Sequence, residues 1–211
     1  QNPVVWAVLA TLSLLGFSGC AGSSDLPSSR PITVTLLHTN DTHSHLEPFP
    51  RDQELSAGNQ GPQQGGVARR KTLMYGIRAS EPNVLLLEGG AYFQGPVFHH
   101  AWKGSAEIMA LNALGYDATT LGNHEFDLGP AELGRALRGE PVIIAGASYP
   151  TEKLRPPIVA TNVDVTAEPA LRGLFTRSTV LERGGERFGN LGVVTQYVPA
   201  ISSPGPNGRF L

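Results

Sequence analysis

The stretch ITVTLLHTNDTH, residues 32–43, leads from a predicted β-strand directly into a cluster of polar side chains. Residues 32–37 alternate β-branched and aliphatic side chains, which is the pattern of a strand. Asp41 and His43 follow, two residues apart, and a carboxylate and an imidazole at this spacing can face one metal ion. The same pair is also typical of a turn, with Asp as the turn former and His on the surface. The spacing alone leaves both interpretations open.

A second polar cluster, GNHEFD at residues 122–127, follows a short predicted strand at 117–121. Gly122 permits a sharp turn, Asn123 offers a carbonyl oxygen to a metal, and His124 can reach a phosphate. Asp127 lies three residues after His124, so in a helical turn its carboxylate can fix the tautomer of the imidazole. The alternative is a polar helix start that Asn123 caps.

Helices and strands alternate along the rest of the chain. Apolar periodicity and capping signals predict three helices: 67–79, 105–114 with Ser105 as the cap, and 130–137 with Pro130 in its first turn and Gly139 after its end. Apolar runs predict strands at 84–87, 142–145, 157–163 and 191–196. Residues rich in Pro, Gln and Gly predict a loop at 47–66, and Gly184 and Gly185 mark a turn. This alternation indicates an α/β fold, and both polar clusters follow strand ends, where open α/β sheets place their sites.

Bulk composition fits one globular domain. The chain has 211 residues, of which 40% are hydrophobic and 16% are charged. Its net charge is -2 and its pI is about 6.3, so no basic surface for a nucleic-acid polymer is expected. Any nucleotide that the chain binds would have to be held by a local site.

Residues 1–20 are predicted to be a signal peptide. Residues 4–17 are almost wholly apolar but shorter than the roughly 20 residues that span a bilayer. Gln1 is not Met and no basic residue precedes the apolar run, so we expect the sequence to begin inside the signal. Cys20, the single cysteine, closes the tetrapeptide FSGC, which resembles a bacterial lipoprotein box; the alternative is an ordinary cleavage site. We expect export to the periplasm or cell envelope, membrane contact only through a lipid on Cys20, and a tether at 21–31.

Five segments together resemble the N-terminal part of the phosphoesterase domain of the 5'-nucleotidase family, which are calcineurin-like metallophosphoesterases. The segments are HTNDTHSHLEP (38–48), GGVAR (65–69), EIMALNAL (107–114), LGNHEFD (121–127) and FGNLGVVT (188–195). The similarity extends from about residue 32 to the end of the sequence.

The resemblance implies a four-layer α/β/β/α sandwich and a site with two divalent metal ions, for which Zn, Mn, Mg, Fe and Co are all suitable. It implies that Asp41 and His43 bind the first metal and Asn123 the second. His124 would contact the phosphate or protonate the leaving oxygen, and Asp127 would orient His124. Metal-activated water would displace the ester oxygen in line. The family's substrates are nucleoside monophosphates, 2',3'-cyclic nucleotides and other phosphate esters.

The sequence departs from the family pattern at residue 91. Where the family has Asp-Ala-Gly-Asp, this chain has EGGA at 88–91, so the metal-bridging Asp is replaced by Ala91. A methyl group cannot screen two dications from each other, which argues against the second metal site. Glu88 lies three residues too early to replace the bridge. His99 and His100 are expected at the surface, and the alternative is that they are substitute ligands.

The six histidines all lie at or before residue 124, whereas the family takes further metal ligands from later histidines. We therefore expect the domain at 32–211 to be incomplete at its C-terminus and inactive alone. Two hypotheses follow for the whole protein. The first is a metal-dependent phosphoric ester hydrolase that acts on nucleotides. The second is a catalytically degenerate, lipid-anchored surface relative that binds without turnover because of Ala91.

Overall fold

The computed structural model describes residues 31–50, 63–95 and 97–211. The predicted signal peptide at 1–20 and, apart from Pro31, the predicted tether at 21–31 lie outside the described residues. Residues Ile32–Leu211 form one compact unit.

The described residues contain strands and helices in mixed order. The strands are β1 (Thr35–Thr39), β2 (Phe49–Pro50), β3 (Gln63–Gln64), β4 (Val84–Glu88), β5 (Ala118–Thr119), β6 (Val142–Ile144), β7 (Ala147–Tyr149), β8 (Ile158–Val159), β9 (Val163–Asp164), β10 (Phe175–Thr176), β11 (Thr179–Arg183), β12 (Glu186–Asn190) and β13 (Arg209–Phe210). The helices are α1 (Val67–Ser80), α2 (Val97–Trp102), α3 (Ser105–Leu114), α4 (Gly129–Arg138) and α5 (Val198–Ile201), and a 3-10 turn spans His124–Phe126.

One parallel sheet forms the centre of the fold. Its strand order is β1-β4-β5-β8-β10, and each neighbouring pair is parallel. Four two-stranded antiparallel ladders accompany it in the described residues: β2-β3, β6-β7, β9-β13 and β11-β12. The predicted α/β class is confirmed, because parallel neighbours need crossover connections and helices supply several of them here.

Most predicted elements are present. The helices predicted at 67–79, 105–114 and 130–137 correspond to α1, α3 and α4, and Gly139 ends α4 in the left-handed conformation with φ 72°. The turn at Gly184 and Gly185 connects β11 to β12. The prediction that Ser105 caps α3 is wrong, since Gly104 is the capping residue and makes no side-chain hydrogen bond. The segment predicted as a loop at 47–66 contributes the short ladder β2-β3.

The prediction of a strand at 191–196 is wrong. The apolar residues of this segment fit a strand, but the backbone of Val194 pairs with a side chain instead of with a neighbouring strand. Asn162 Nδ2 donates to Val194 O at 2.7 Å, and Val194 N donates to Asn162 Oδ1 at 2.9 Å. The amide of Asn162 thereby satisfies the backbone of Val194, and the segment stays irregular.

The core lies between the parallel sheet and the helices. Leu86 of β4 and Ile108 of α3 are fully buried in it, with Leu133 of α4 and Leu171 almost or fully buried beside them. Val198 fixes the short helix α5 to the same core. Within the described parts of the chain, we find no helix that is long and apolar enough to cross a bilayer.

The burial of Leu86 predicts a large stability effect. Leu86 is 0% exposed, whereas Leu36 on the neighbouring strand β1 is 59% exposed. We expect Leu86→Ala to lower the free energy of unfolding by about 2–5 kcal/mol, because it leaves a cavity. The matched control Leu36→Ala should change it by less than about 0.5 kcal/mol. Urea unfolding measures both, and equal losses would contradict this position of the core.

Candidate functional site

Three loops meet at one edge of the parallel sheet. The first loop (40–46) follows β1, the second loop (89–95) follows β4, and the third loop (120–127) follows β5. Because β1, β4 and β5 are adjacent and parallel, their carboxyl ends share an edge. Both polar clusters of the sequence therefore lie at the place where open α/β sheets bind ligands.

Backbone hydrogen bonds fasten the first loop to the second. Three of them, 2.9–3.2 Å long, continue the pairing past the strand ends: Asp41 N to Gly90 O, His43 N to Ala91 O, and Ser44 N to Tyr92 O. Asp41, His43, Ser44 and Ala91 all have positive φ, between 42° and 54°. Residues other than glycine rarely adopt this backbone conformation, so the surrounding contacts must stabilise it here.

A buried carboxylate joins the second loop to the third. Glu125 is 1% exposed, and its Oε2 accepts from Ala91 N at 2.9 Å and from Gly122 N at 2.6 Å. Its Oε1 accepts from Phe93 N at 2.9 Å. Burial raises the pKa of Glu125, and the backbone N–H donors oppose that rise because they stabilise the anion. Sequence reasoning missed Glu125; the available signal was a carboxylate between His124 and Phe126 in a predicted turn.

Two glycines allow this close approach of the second and third loops. A Cβ on Gly90 would lie 2.4 Å from Gly122 N, and a Cβ on Gly122 would lie 2.7 Å from Ala91 N. Both contacts are with backbone, which cannot turn aside as a side chain could. The loops can therefore pack at this distance only without side chains at these positions.

His124 and Asp127 form a hydrogen-bonded pair. His124 Nδ1 lies 2.7 Å from Asp127 Oδ2, and the two side chains are 29% and 24% exposed. The 3-10 turn His124–Phe126 brings the two residues onto one face, as their spacing in the sequence suggested. A carboxylate accepts only, so Nδ1 carries the proton of this hydrogen bond and Nε2 is the nitrogen that Asp127 does not bind.

The first loop places two further side chains that can bind a metal ion, Asp41 and His43, beside this pair. The ring centroids of His43 and His124 are 4.9 Å apart, and Asp41 Oδ1 lies 3.6 Å from His43 Nε2. Two ligands that each bind a cation at about 2.1 Å can be no more than about 4.2 Å apart, so this pair fits one cation. In the part of the chain that the structure describes, no group of three or more His, Cys, Asp and Glu side chains is arranged to hold a metal ion.

A pair of metals does not fit the described residues. Ala91 is 5% exposed, and its methyl group carries no atom that could bind a metal. Asn123, the proposed ligand of a second metal, lies at the start of the 3-10 turn and accepts from Phe126 N through its backbone carbonyl. The structure thus brings Asp41, His43, His124 and Asp127 to one edge, with Asn123 beside them on the third loop.

Two more buried carboxylates support the loops. Glu88, at the end of β4, is 2% exposed and accepts from Thr39 Oγ1, while its Oε1 has no partner among the described residues. Burial raises the pKa of Glu88 to about 7, against the lowering effect of the Thr39 hydroxyl. Glu107 of α3 accepts from Ser44 Oγ of the first loop, and burial raises the pKa of Glu107 as well.

The expectation that His99 lies at the surface is wrong. His99 belongs to α2, a helix that the sequence did not reveal, and it is 5% exposed against the ring of Phe93. The one buried residue of this helix is a histidine, so hydrophobicity does not mark its buried position. His100 is exposed, as expected.

Glu88 makes stability depend on pH. Its pKa is about 7 in the folded protein against an ordinary 4.5, so the folded state binds the proton more tightly. The resulting stabilisation is complete below pH 4.5 and is lost as the pH rises to about 7. Between pH 4.5 and 7 the free energy of unfolding should therefore fall in wild type, and we expect Glu88→Gln to remove up to about 3 kcal/mol of that fall. Unfolding in urea across this range checks it beside Glu186→Gln, an exposed carboxylate on β12; equal slopes in both variants would refute it.

Comparison with known proteins places this geometry in a family. No protein-family model matches the chain. The 5'-nucleotidase of Bos taurus is 37% identical over 186 residues, which are 87% of this chain and 30% of that protein. The trifunctional nucleotide phosphoesterase YfkN of Bacillus subtilis is 33% identical over 203 residues, 88% of this chain and 13% of that protein.

Solved structures agree with these relatives. The 5'-nucleotidase precursor from Thermus thermophilus has a TM-score of 0.72 and 40% identity, over 85% of this chain and 32% of that one. The NAD nucleotidase of Haemophilus influenzae has a TM-score of 0.68 and 26% identity, over 84% of this chain and 29% of that one. These matches confirm the predicted fold class, and the chain spans about a third of the length of the 5'-nucleotidases it matches. The chain belongs to the 5'-nucleotidase family of calcineurin-like metallophosphoesterases and corresponds to the N-terminal part of its members.

Proposed function

We propose that the protein containing this chain is a metal-dependent phosphoric ester hydrolase that acts on nucleotides, of the 5'-nucleotidase or 2',3'-cyclic nucleotide phosphodiesterase type. The observation that supports this most directly is the His124–Asp127 pair with His43 beside it at one sheet edge. Family relatives that bear the names 5'-nucleotidase and nucleotide phosphoesterase support the same class. The chain is about a third as long as the 5'-nucleotidases among them, so the activity is proposed for the whole protein.

His124 is proposed as the catalytic residue of this chain. Asp127 accepts from Nδ1, so Nε2 is the nitrogen left for the substrate. When the ring carries a proton on both nitrogens, Nε2 can pass its proton to the leaving ester oxygen or donate a hydrogen bond to the phosphate. The carboxylate of Asp127 stabilises the imidazolium and fixes its orientation. A nucleoside is a poor leaving group unless its oxygen is protonated, so this donor lowers the barrier at the bond that breaks.

Asp41 and His43 are proposed to hold one divalent cation, and Asn123 is proposed to offer an oxygen on the opposite loop. When bound, such a cation supplies Lewis-acid stabilisation of phosphate oxygens and activates water. Zn, Mn, Mg, Fe and Co all accept oxygen and nitrogen donors of this kind. Asp41 is the more accessible of the two, with its side chain 62% exposed against 30% for His43.

A second candidate function rests on Ala91. If the activity of the whole protein needs a pair of metals, the buried methyl at this position makes it a degenerate relative that binds phosphate esters without turnover. We also propose export, with a lipid on Cys20 as the attachment to the membrane and residues 21–31 as the tether.

The proposed role of His124 predicts a loss of turnover. We expect the protein to release phosphate from nucleoside 5'-monophosphates in the presence of divalent cations. His124→Ala should lower kcat by about 100-fold or more, because the proton donor is gone. The matched control is His100→Ala, which removes an exposed histidine outside the three loops. Steady-state kinetics compares them, and a similar small effect in both variants would sink the assignment.

Residue 91 predicts the metal content. Ala91 has φ 54°, a conformation that Asp and Asn adopt more readily than Ala, so Ala91→Asp should not strain the loop. We expect each molecule of wild type to bind about one divalent cation and each molecule of Ala91→Asp to bind about two, as measured by metal analysis after dialysis. Ala91→Asn is the control of equal shape without charge.

The same variants separate the two candidate functions. Turnover in wild type supports the enzyme. Inactive wild type, together with activity and metal gained only in Ala91→Asp, supports the degenerate relative. Two metals in wild type would show that another ligand replaces the bridge.

A further inference from the structure

Ser202 contacts the proposed catalytic pair from a distant part of the chain. Its Oγ lies 2.6 Å from Asp127 Oδ1, across 75 residues of sequence. The other oxygen of the same carboxylate, Oδ2, is the one that holds His124 Nδ1 at 2.7 Å. A carboxylate accepts only, so the Ser202 hydroxyl is the donor.

We infer that Ser202 is a positioning residue for His124 and acts through Asp127. The inference rests on the proposed function and adds a residue to it. With Oδ1 held by the hydroxyl, the carboxylate cannot rotate about its terminal bond, and Oδ2 stays directed at His124 Nδ1. The three residues form a linear chain of hydrogen bonds, Ser202–Asp127–His124, that ends at the free Nε2 of the imidazole.

The fold holds Ser202 in place from both sides. Ser202 follows α5, whose Val198 is 0% exposed in the core, and its backbone N donates to Val198 O at 2.9 Å. On the other side, a Cβ on Gly205 would lie 3.0 Å from Pro130 Cγ, so this segment lies against the start of α4. Pro130 is three residues after Asp127. The same packing therefore fixes donor and acceptor relative to each other.

The two orienting contacts of Asp127 have different origins. The bond to His124 is local, because the pair is three residues apart in one turn. The bond to Ser202 is tertiary and is made only when α5 is docked. Both side chains of the local pair are about a quarter exposed, so water competes for the carboxylate, and a second fixed partner matters for its orientation.

The test compares Ser202→Ala with two variants in the whole protein. Ser202→Thr keeps the hydroxyl, and residue 202 has an extended backbone (φ -153°) that accepts a β-branched side chain. Ser203→Ala removes the neighbouring hydroxyl, which is exposed. We expect Ser202→Ala to lower kcat about tenfold with KM unchanged, and the other two variants to resemble wild type.

A comparison of two substrates distinguishes a positioning role of Ser202 from a merely structural one. Protonation matters most for a basic leaving group, so the loss in Ser202→Ala should be larger with a nucleoside 5'-monophosphate than with p-nitrophenyl phosphate. In an Asp127→Ala background, Ser202→Ala should cause no further loss, because its acceptor is gone. Equal losses with both substrates, or additive losses in the double variant, would overturn the inference.

Crystal structures of wild type and Ser202→Ala test the inference without relying on activity. We expect the Asp127 carboxylate to turn and the distance from its Oδ2 to His124 Nδ1 to lengthen in Ser202→Ala. An unchanged distance overturns the role of Ser202, whatever the rates. If wild type hydrolyses no phosphate ester, the proposed function fails, and the crystal structures still decide whether Ser202 positions Asp127.

Discussion

The carboxylate of Glu125 holds the candidate site together. It is buried, and it accepts hydrogen bonds from backbone N–H groups of two different loops: Ala91 and Phe93 on the second loop, and Gly122 on the third. These donors are fixed in the backbone and offset the cost of burying a carboxylate. The first loop is attached in turn through the backbone of Ala91, whose carbonyl accepts from His43. The position of His43 relative to His124 thus depends on Glu125.

This arrangement lets strained backbone persist around the site. Several residues of the first and second loops have left-handed backbone conformations that residues other than glycine rarely adopt. Gly90 and Gly122 approach each other too closely for a side chain at either position. Buried carboxylates under the loops, Glu88 and Glu107, bind hydroxyl groups of Thr39 and Ser44. The left-handed conformations and the buried carboxylates each cost free energy, and the packing of the parallel sheet and its core compensates for that cost. His124 and Asp127 lie at hydrogen-bonding distance on this edge of the sheet.

The two halves of the candidate site differ. The proposed proton-donating half, from Ser202 through Asp127 to His124, has consecutive hydrogen bonds of 2.6 and 2.7 Å. The proposed cation-binding half has Asp41 and His43 at a spacing that fits one ion, and a buried methyl at Ala91. The side chain at residue 91 affects the charge of the site but not the attachment of the loops, because Glu125 binds the backbone of residue 91 and not its side chain.

The sequence by itself determined the α/β class, the main helices and the family, and it yielded the hypothesis for the site residues, since these depend on local periodicity and on side-chain type. It also showed Ala91 at a position where the resemblance to the family implies a carboxylate. Only the tertiary structure decided that Glu125 is a buried anchor, that His99 is buried, and that the Asn162 side chain pairs with the backbone of Val194. It alone brought Ser202 to Asp127 across 75 residues. The physical reason is that these contacts join residues far apart in sequence, so they depend on the path of the whole chain and leave no periodic pattern in any one segment.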